Sequence, residues 1–104
     1  RNVKVLTDEF EPIRQWANER GLIQKGDPKT QYIKLQEETG ELAQAIPKAK
    51  EEEFIDAIGD CVVVLTNLAA IKGYNIEDCI NSAYEEIKNR KGTMVAGTFV
   101  KEVK

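Results

Sequence analysis

KLQEETGELAQAI, residues 34–46, sets three carboxylates into a stretch whose apolar residues recur as they do on a helix packed into a core. At about 100° per residue, Leu35, Leu42 and Ile46 form one apolar stripe, and Glu38 lies about 60° from its centre with Glu41 just beyond. Glu38 therefore borders the core, whereas Glu37 projects further around as a rim residue. Gln31 and Lys34 share the flank of Glu38 and Glu41, so a polar strip runs beside the packing surface. Taken alone, such a strip reads as a solvated helix edge.

The helix that carries this strip is bounded by local signals. Asp27-Pro28 supplies a cap followed by proline at the first helical position, and Pro47 breaks the pattern after Ile46. Upstream, residues 7–20 suggest a first helix with Thr7 as a plausible cap and Gly21 as a stop. Pro12 clashes with a helix interior and moves the expected start toward Glu11. GLIQKGDPK, residues 21–29, reads as a linker. Downstream, a lysine- and glutamate-rich turn leads into a third helix from about Glu51 to Lys72, closed by Gly73. Apolar residues cover most of its circumference, which predicts a place at the centre of the fold. Asn75 is expected to cap a fourth helix with Ile76, Ile80, Ala83 and Ile87 at heptad-like spacing, ending at Lys88, Arg90 and Lys91. The last dozen residues alternate loosely and predict an extended arm or short strand. The expected architecture is all-α: an antiparallel four-helix bundle with a short extended C-terminal arm, residues 1–104 forming one domain.

Composition narrows the chemistry. The 104 residues carry a formal charge of −3, with 41% hydrophobic and 32% charged side chains. That balance fits a soluble domain and offers no global attraction to nucleic acid or anionic lipid. The longest apolar run, Cys61 to Leu65, is too short to span a bilayer, and residues 1–4 lack a signal-peptide hydrophobic stretch, so the expected location is the cytoplasm. Cys61 and Cys79 read as reduced core thiols. There is no histidine. Imidazole bases, Cys/His nucleophile pairs and His-bearing zinc or di-iron sites are thereby excluded within the chain.

The third helix gives the glutamate strip its meaning. Glu53, Asp56 and Asp60 stand at i, i+3 and i+7 and share one acidic face, which Asn67 continues one heptad later. Burying lone carboxylates costs several kcal/mol, so an acidic line on an otherwise apolar helix calls for a compensating charge. Opposed to Glu38 and Glu41 across the bundle, Asp56 and Asp60 form an all-oxygen set that suits Mg²⁺ or Mn²⁺. A magnesium ion held this way usually serves phosphate chemistry, which needs cations for the phosphates and a surface for the base. Lys34, Arg90 and Lys91 are the candidate cations. Trp16 and Tyr32 are candidates to stack a base, with core packing as the alternative.

Glu37-Glu38-x-x-Glu41 on one helix, followed by an acidic stripe ending in Asp60-Cys-Val-Val-Val-Leu on the next, resembles the MazG-like nucleoside triphosphate pyrophosphohydrolases over roughly residues 7–91. The resemblance implies cleavage of a nucleoside triphosphate between the α and β phosphates, giving a monophosphate and pyrophosphate. It implies Mg²⁺ on Glu38, Glu41 and Asp60, with Glu37 ligating or positioning a water, and assembly as a homodimer or homotetramer. The family's second motif is usually Glu-x-x-Asp, and alignment on Asp60 puts Ala57 at the glutamate position. Asp56 is the expected substitute, and Glu53 can reach the same face. The full expectation makes Glu37, Glu38 and Glu41 catalytic, gives the metal to Glu38, Glu41, Asp56 and Asp60, and gives the substrate to Trp16, Gln31, Lys34, Asn67, Arg90 and Lys91. The alternatives are a non-enzymatic helical interaction module, or a related pyrophosphohydrolase acting on phosphoribosyl-ATP or another nucleotide.

Overall fold

A computed structural model describes residues 8–103. Thr7, the expected cap of the first helix, lies outside the described residues. The helix α1 runs Glu11–Glu19 with Pro12 in its first turn, where a missing N–H costs nothing. The Asp8 carboxylate does the capping, with its Oδ1 accepting from the Phe10 and Glu11 amides at 3.0 Å each. Gly21, at φ 77°, ends the helix in a left-handed conformation that favours glycine.

The stretch read as a linker contains a one-turn helix, α2, Leu22–Lys25. Leu22 and Ile23 are half-buried, and Gly26 sits where an added Cβ would meet the Leu22 carbonyl and come within 2.7 Å of Ile71 Cδ1. Close approach of α2 to the end of the long helix therefore requires a glycine there. Helix α3 follows, Pro28–Ala45, with Asp27 Oδ2 accepting from the Thr30 amide at 3.0 Å. Helix α4, Glu51–Ile71, begins with three glutamates at its positive end. Helix α5, Ile76–Ile87, starts after Gly73 at φ 85°. Asn75 is extended at its N-cap, but its side chain makes no capping hydrogen bond, contrary to expectation.

The expected arm is a β-hairpin. Strand β1, Gly92–Val95, pairs antiparallel with β2, Thr98–Lys101, in the register Gly92↔Lys101 to Val95↔Thr98. Ala96 and Gly97 turn with φ of 49° and 83°, the two positive values of a type I′ connection. Among the described residues the strands pack on each other and on no helix.

The principal packing is α3 against α4, with α1 and α2 also seated on α4. α5 packs on α4 near the connecting turn and is joined to α1 by the Arg14–Glu77 ion pair, so among the described residues four mutually packed helices are not seen. Its line of Ile80, Ala83 and Ile87 is exposed, as is Cys79, which is a free surface thiol and not a core one. Nor does α4 occupy a closed centre. The buried apolar residues are small, Ala17, Ala45, Ala57, Cys61 and Val64, while Ile55, Ile58 and Leu65 of α4 remain exposed. By length and composition alone α4 is apolar enough to cross a membrane, an attribute that the broken run Cys61 to Leu65 does not reveal. The Cα radius of gyration is 16.6 Å, against the ~13 Å of a compact domain of this length.

Candidate metal centre

The face that α3 turns to α4 is rotated from the stripe expected for it. Glu38 and Ala45, one heptad apart, are buried, Leu35 and Leu42 are half-buried, and Ile46 is 65% exposed. A glutamate thus stands on the packing line itself. Small residues at Ala45 and Ala57 allow the two helices to approach, and they form part of a cavity of about 260 Å³ with Glu41, Gln44, Lys48, Glu53, Asp56 and Asp60.

Beside this cavity Glu38, Glu41 and Asp60 bring one carboxylate oxygen each to within 4.8 Å of the others, a group able to hold a metal ion. Glu38 is only 7% exposed, and the other two reach solvent. Its carboxyl is pushed above the ordinary carboxylate range. The largest cause is the hydrogen bond with Glu41, then burial, then the negative charges of Glu41 and Asp60, with Lys34 opposing. Each of these causes except Lys34 disfavours the ionised form of Glu38 while no cation is near. The donor set is hard oxygen only, with one acid whose ionisation is disfavoured until positive charge arrives. That fits Mg²⁺ or Mn²⁺ and does not fit a soft metal. Burial first, then the charges of Glu38, Asp60 and Glu41, also push the neighbouring Cys61 thiol up, so it remains protonated and a poor nucleophile.

The remaining expected residues divide by position. Asp56 lines the cavity but is outside the three-carboxylate group. Glu53 lines it too and is held by Lys48 at 3.2 Å and Lys50 at 3.6 Å. The Lys48 hydrogen bond leads in lowering the Glu53 carboxyl below its ordinary range. Glu37 is exposed on the rim, and Lys34 Nζ lies 3.8 Å from both Glu37 and Glu38. Gln31 is half-buried one heptad before Glu38, and Asn67 is buried one heptad after Asp60 with its Oδ1 lacking a hydrogen-bond partner. Trp16 lines an apolar groove with Pro12, Ile13 and Val63, and the Arg20 guanidinium lies 4.4 Å from its ring centroid. Val63 follows Asp60 by three residues, so this groove opens about one helical turn from the carboxylates. Tyr32 is 53% exposed and is not core.

Arg90 and Lys91 are not brought to the acidic group. They line a separate cavity with Glu86, Asn89, Lys101 and Glu102, along the connection from α5 to the hairpin. The cation that sequence reasoning missed is Lys48. Its signal was its place directly after Pro47, which turns the chain back so that α3 and α4 run antiparallel and leaves Lys48 at the cavity mouth.

No solved structure matches the chain. An uncharacterized 18.2 kDa protein from the rep-hol intergenic region of Haemophilus phage HP1 (strain HP1c1) is 47% identical over 57 residues, covering 55% of this chain and 35% of that protein. The chain thus aligns with only about a third of that relative's length. The family model for the MazG nucleotide pyrophosphohydrolase domain matches residues 27–95, a span holding all three clustered carboxylates and both helices that carry them; the chain belongs to that family.

Proposed function

We propose that the protein hydrolyses nucleoside or deoxynucleoside triphosphates between the α and β phosphates, releasing a monophosphate and pyrophosphate with Mg²⁺ as the metal and Mn²⁺ as a substitute. The observation that carries the reading is the convergence of Glu38, Glu41 and Asp60, one of them buried, inside the span matched by the family. These three would hold the metal, with Asp56 beside them in the position nearest to the absent glutamate at Ala57. A divalent cation there supplies Lewis-acid charge neutralisation at the phosphate oxygens.

The chain's own groups supply the rest. Glu38, whose carboxyl lies above its ordinary range, would be favoured as the carboxylate by positive charge beside it and would then be the group to engage a water. Together with Glu41 and the rim residue Glu37 it orients that water and accepts its proton as the α-phosphorus is attacked. Lys34 and Lys48 lie at the edges of the acidic group and would balance charge on the triphosphate. The apolar groove at Trp16 is the right kind of surface for a base. Gln31 and Asn67, on the same two helices, are assigned to substrate contacts, the unpartnered Asn67 Oδ1 being an acceptor without a donor. Arg90 and Lys91 would act on substrate only if another chain or a movement of α5 brought them to the site.

Hydrolysis of a dNTP in ¹⁸O-labelled water tests the bond cleaved. Attack on the α-phosphorus places the label in the monophosphate and leaves the released pyrophosphate unlabelled. Label in orthophosphate, or in pyrophosphate alone, would overturn the assignment.

A further inference from the structure

The three carboxylates have unlike surroundings on their two sides. Helices α3 and α4 run antiparallel, so residues that precede Asp60 on α4 lie toward the end of α3, and residues that follow it lie toward the start. On the starting side are Lys34, 3.8 Å from Glu38, and Val63 with the apolar groove of Trp16. On the other side the cavity of about 260 Å³ reaches Lys48, whose Nζ lies 3.2 Å from Glu53 Oε1. Lys50 approaches the second oxygen of the same carboxylate at 3.6 Å. The Lys48 hydrogen bond leads in lowering the Glu53 carboxyl, so Glu53 is ionised and Lys48 is already neutralised. The two side chains are 49% and 43% exposed, which leaves the pair open to exchange. Lys48 is also the one cation among the described residues that line this cavity.

We propose that the Lys48–Glu53 pair selects nucleotides by their number of phosphates: a triphosphate draws Lys48 away from Glu53, and a diphosphate does not reach it. The inference rests on the proposed function, which sets the α-phosphorus at the three carboxylates and the base in the Trp16 groove. In that direction the β phosphate lies beyond the carboxylates, and the terminal phosphate of a triphosphate extends into the cavity toward Lys48. Charge decides the exchange. A terminal phosphate carries about −1.5 to −2 at neutral pH and offers three acceptor oxygens, against a single charge on Glu53. An ion pair as exposed as Lys48–Glu53 contributes a factor of about five at most to an equilibrium constant. A charge-assisted contact between lysine and phosphate is stronger. Lys50 keeps Glu53 paired when Lys48 leaves, so the exchange strands no charge. The remaining acidic lining of the cavity, Glu41, Asp56 and Asp60, repels phosphate oxygens and gives a shorter nucleotide nothing to gain there. Lys48 is thus a specificity residue, and Glu53 is its internal competitor.

Titration calorimetry in Mg²⁺ tests this by binding alone, with the α,β-methylene analogues of dATP and dADP, whose α–β linkage is not hydrolysed. The wild type should bind the triphosphate analogue about tenfold tighter than the diphosphate. Lys48→Met, which keeps the length of the side chain and removes its charge, should weaken the triphosphate about tenfold and leave the diphosphate within twofold. Glu53→Gln should act in the opposite direction, tightening the triphosphate roughly two- to fivefold and leaving the diphosphate unchanged. A purely structural role for the pair would move both variants the same way. Equal binding of the two analogues by the wild type would overturn the inference and leave the hydrolase reading intact. So would a Lys48→Met chain that loses both analogues alike, or a Glu53→Gln chain that loses the triphosphate. Failure of the wild type to bind either analogue would remove the proposed function and this inference together.

Discussion

Replacing Glu38 by glutamine should stabilise the metal-free protein and remove its response to Mg²⁺. Glu38, Glu41 and Asp60 hold oxygens within 4.8 Å of one another. At that separation two full charges repel by about 0.9 kcal/mol with water-like screening and by about 3.5 kcal/mol at an effective dielectric near 20. Glu38 takes part in two of the three repulsions and is the buried member of the group. The exposure of Glu41 and Asp60 screens part of this. A net gain of about 1–2 kcal/mol is expected for Glu38→Gln near pH 8, or a melting point raised by roughly 5–10 °C. The sign of the pH dependence follows. The folded carboxyl lies above its unfolded value, so the native chain holds more protons in that interval. Stability of the metal-free wild type is then fully present below the unfolded value and is lost as pH rises through the folded one. Glutamine abolishes that loss. Added Mg²⁺ at about 100 times its Kd should stabilise the wild type by about 2.7 kcal/mol and the variant far less. Scanning calorimetry in EDTA and in excess Mg²⁺ measures both effects. A variant that melts below the wild type in EDTA, yet gains as much from Mg²⁺, refutes the reasoning.

Three further outcomes are expected. Ala57→Glu restores a carboxylate at a buried position lining the acidic cavity; Mn²⁺ titration should show roughly tenfold tighter binding, about 1.4 kcal/mol, and unchanged affinity would show that this position does not face the metal. Arg14 holds Glu77 through two hydrogen bonds of 2.7 and 2.6 Å, tying α1 to the start of α5. The Arg14 hydrogen bond is the main cause that lowers the Glu77 carboxyl, so this contribution is present above the unfolded value and lost as pH falls through the folded one. Arg14→Gln should lower the urea midpoint at pH 7 and leave it little changed near pH 2; an equal loss at both would assign it to packing. Gly26→Ala should cost roughly 1–3 kcal/mol by overpacking against Leu22 and Ile71, and a neutral result in chemical denaturation would contradict the close approach of α2 to α4.

Much of the fold was readable because strong local signals mark its boundaries. Asp27-Pro28 starts α3 where the cap chemistry requires, Gly73 closes the turn after α4, and Pro12 limits α1 to a start at Glu11. The one-turn helix α2 escaped because four residues between two glycines are too few for a periodic signal. The hairpin escaped because an Ala-Gly turn is weaker punctuation than Asn-Gly. The heptad-like line of α5 is exposed at Ile80, Ala83 and Ile87, since periodicity reports which residues share a face and not what covers it. The same limit applied to α4, whose all-round apolarity was taken for burial in one chain. At the site, Glu38, Glu41 and Asp60 were legible because acidic residues on an apolar-bordered face need a cause. Asp56 shares that face, but it stands one turn before Asp60 and outside the three-carboxylate group. Lys48 was missed because a lysine in a charged turn carries no periodic signature.

The central claim is that these carboxylates make a metal-dependent pyrophosphohydrolase centre. It is tested most directly by incubating the chain with Mg²⁺ and each of the eight common NTPs and dNTPs, resolving nucleotide products and separating pyrophosphate from orthophosphate. Monophosphate and pyrophosphate in equal amounts, lost in EDTA and with Asp60→Asn, is the predicted result. Orthophosphate as the product, or turnover unaffected by Asp60→Asn, would contradict it.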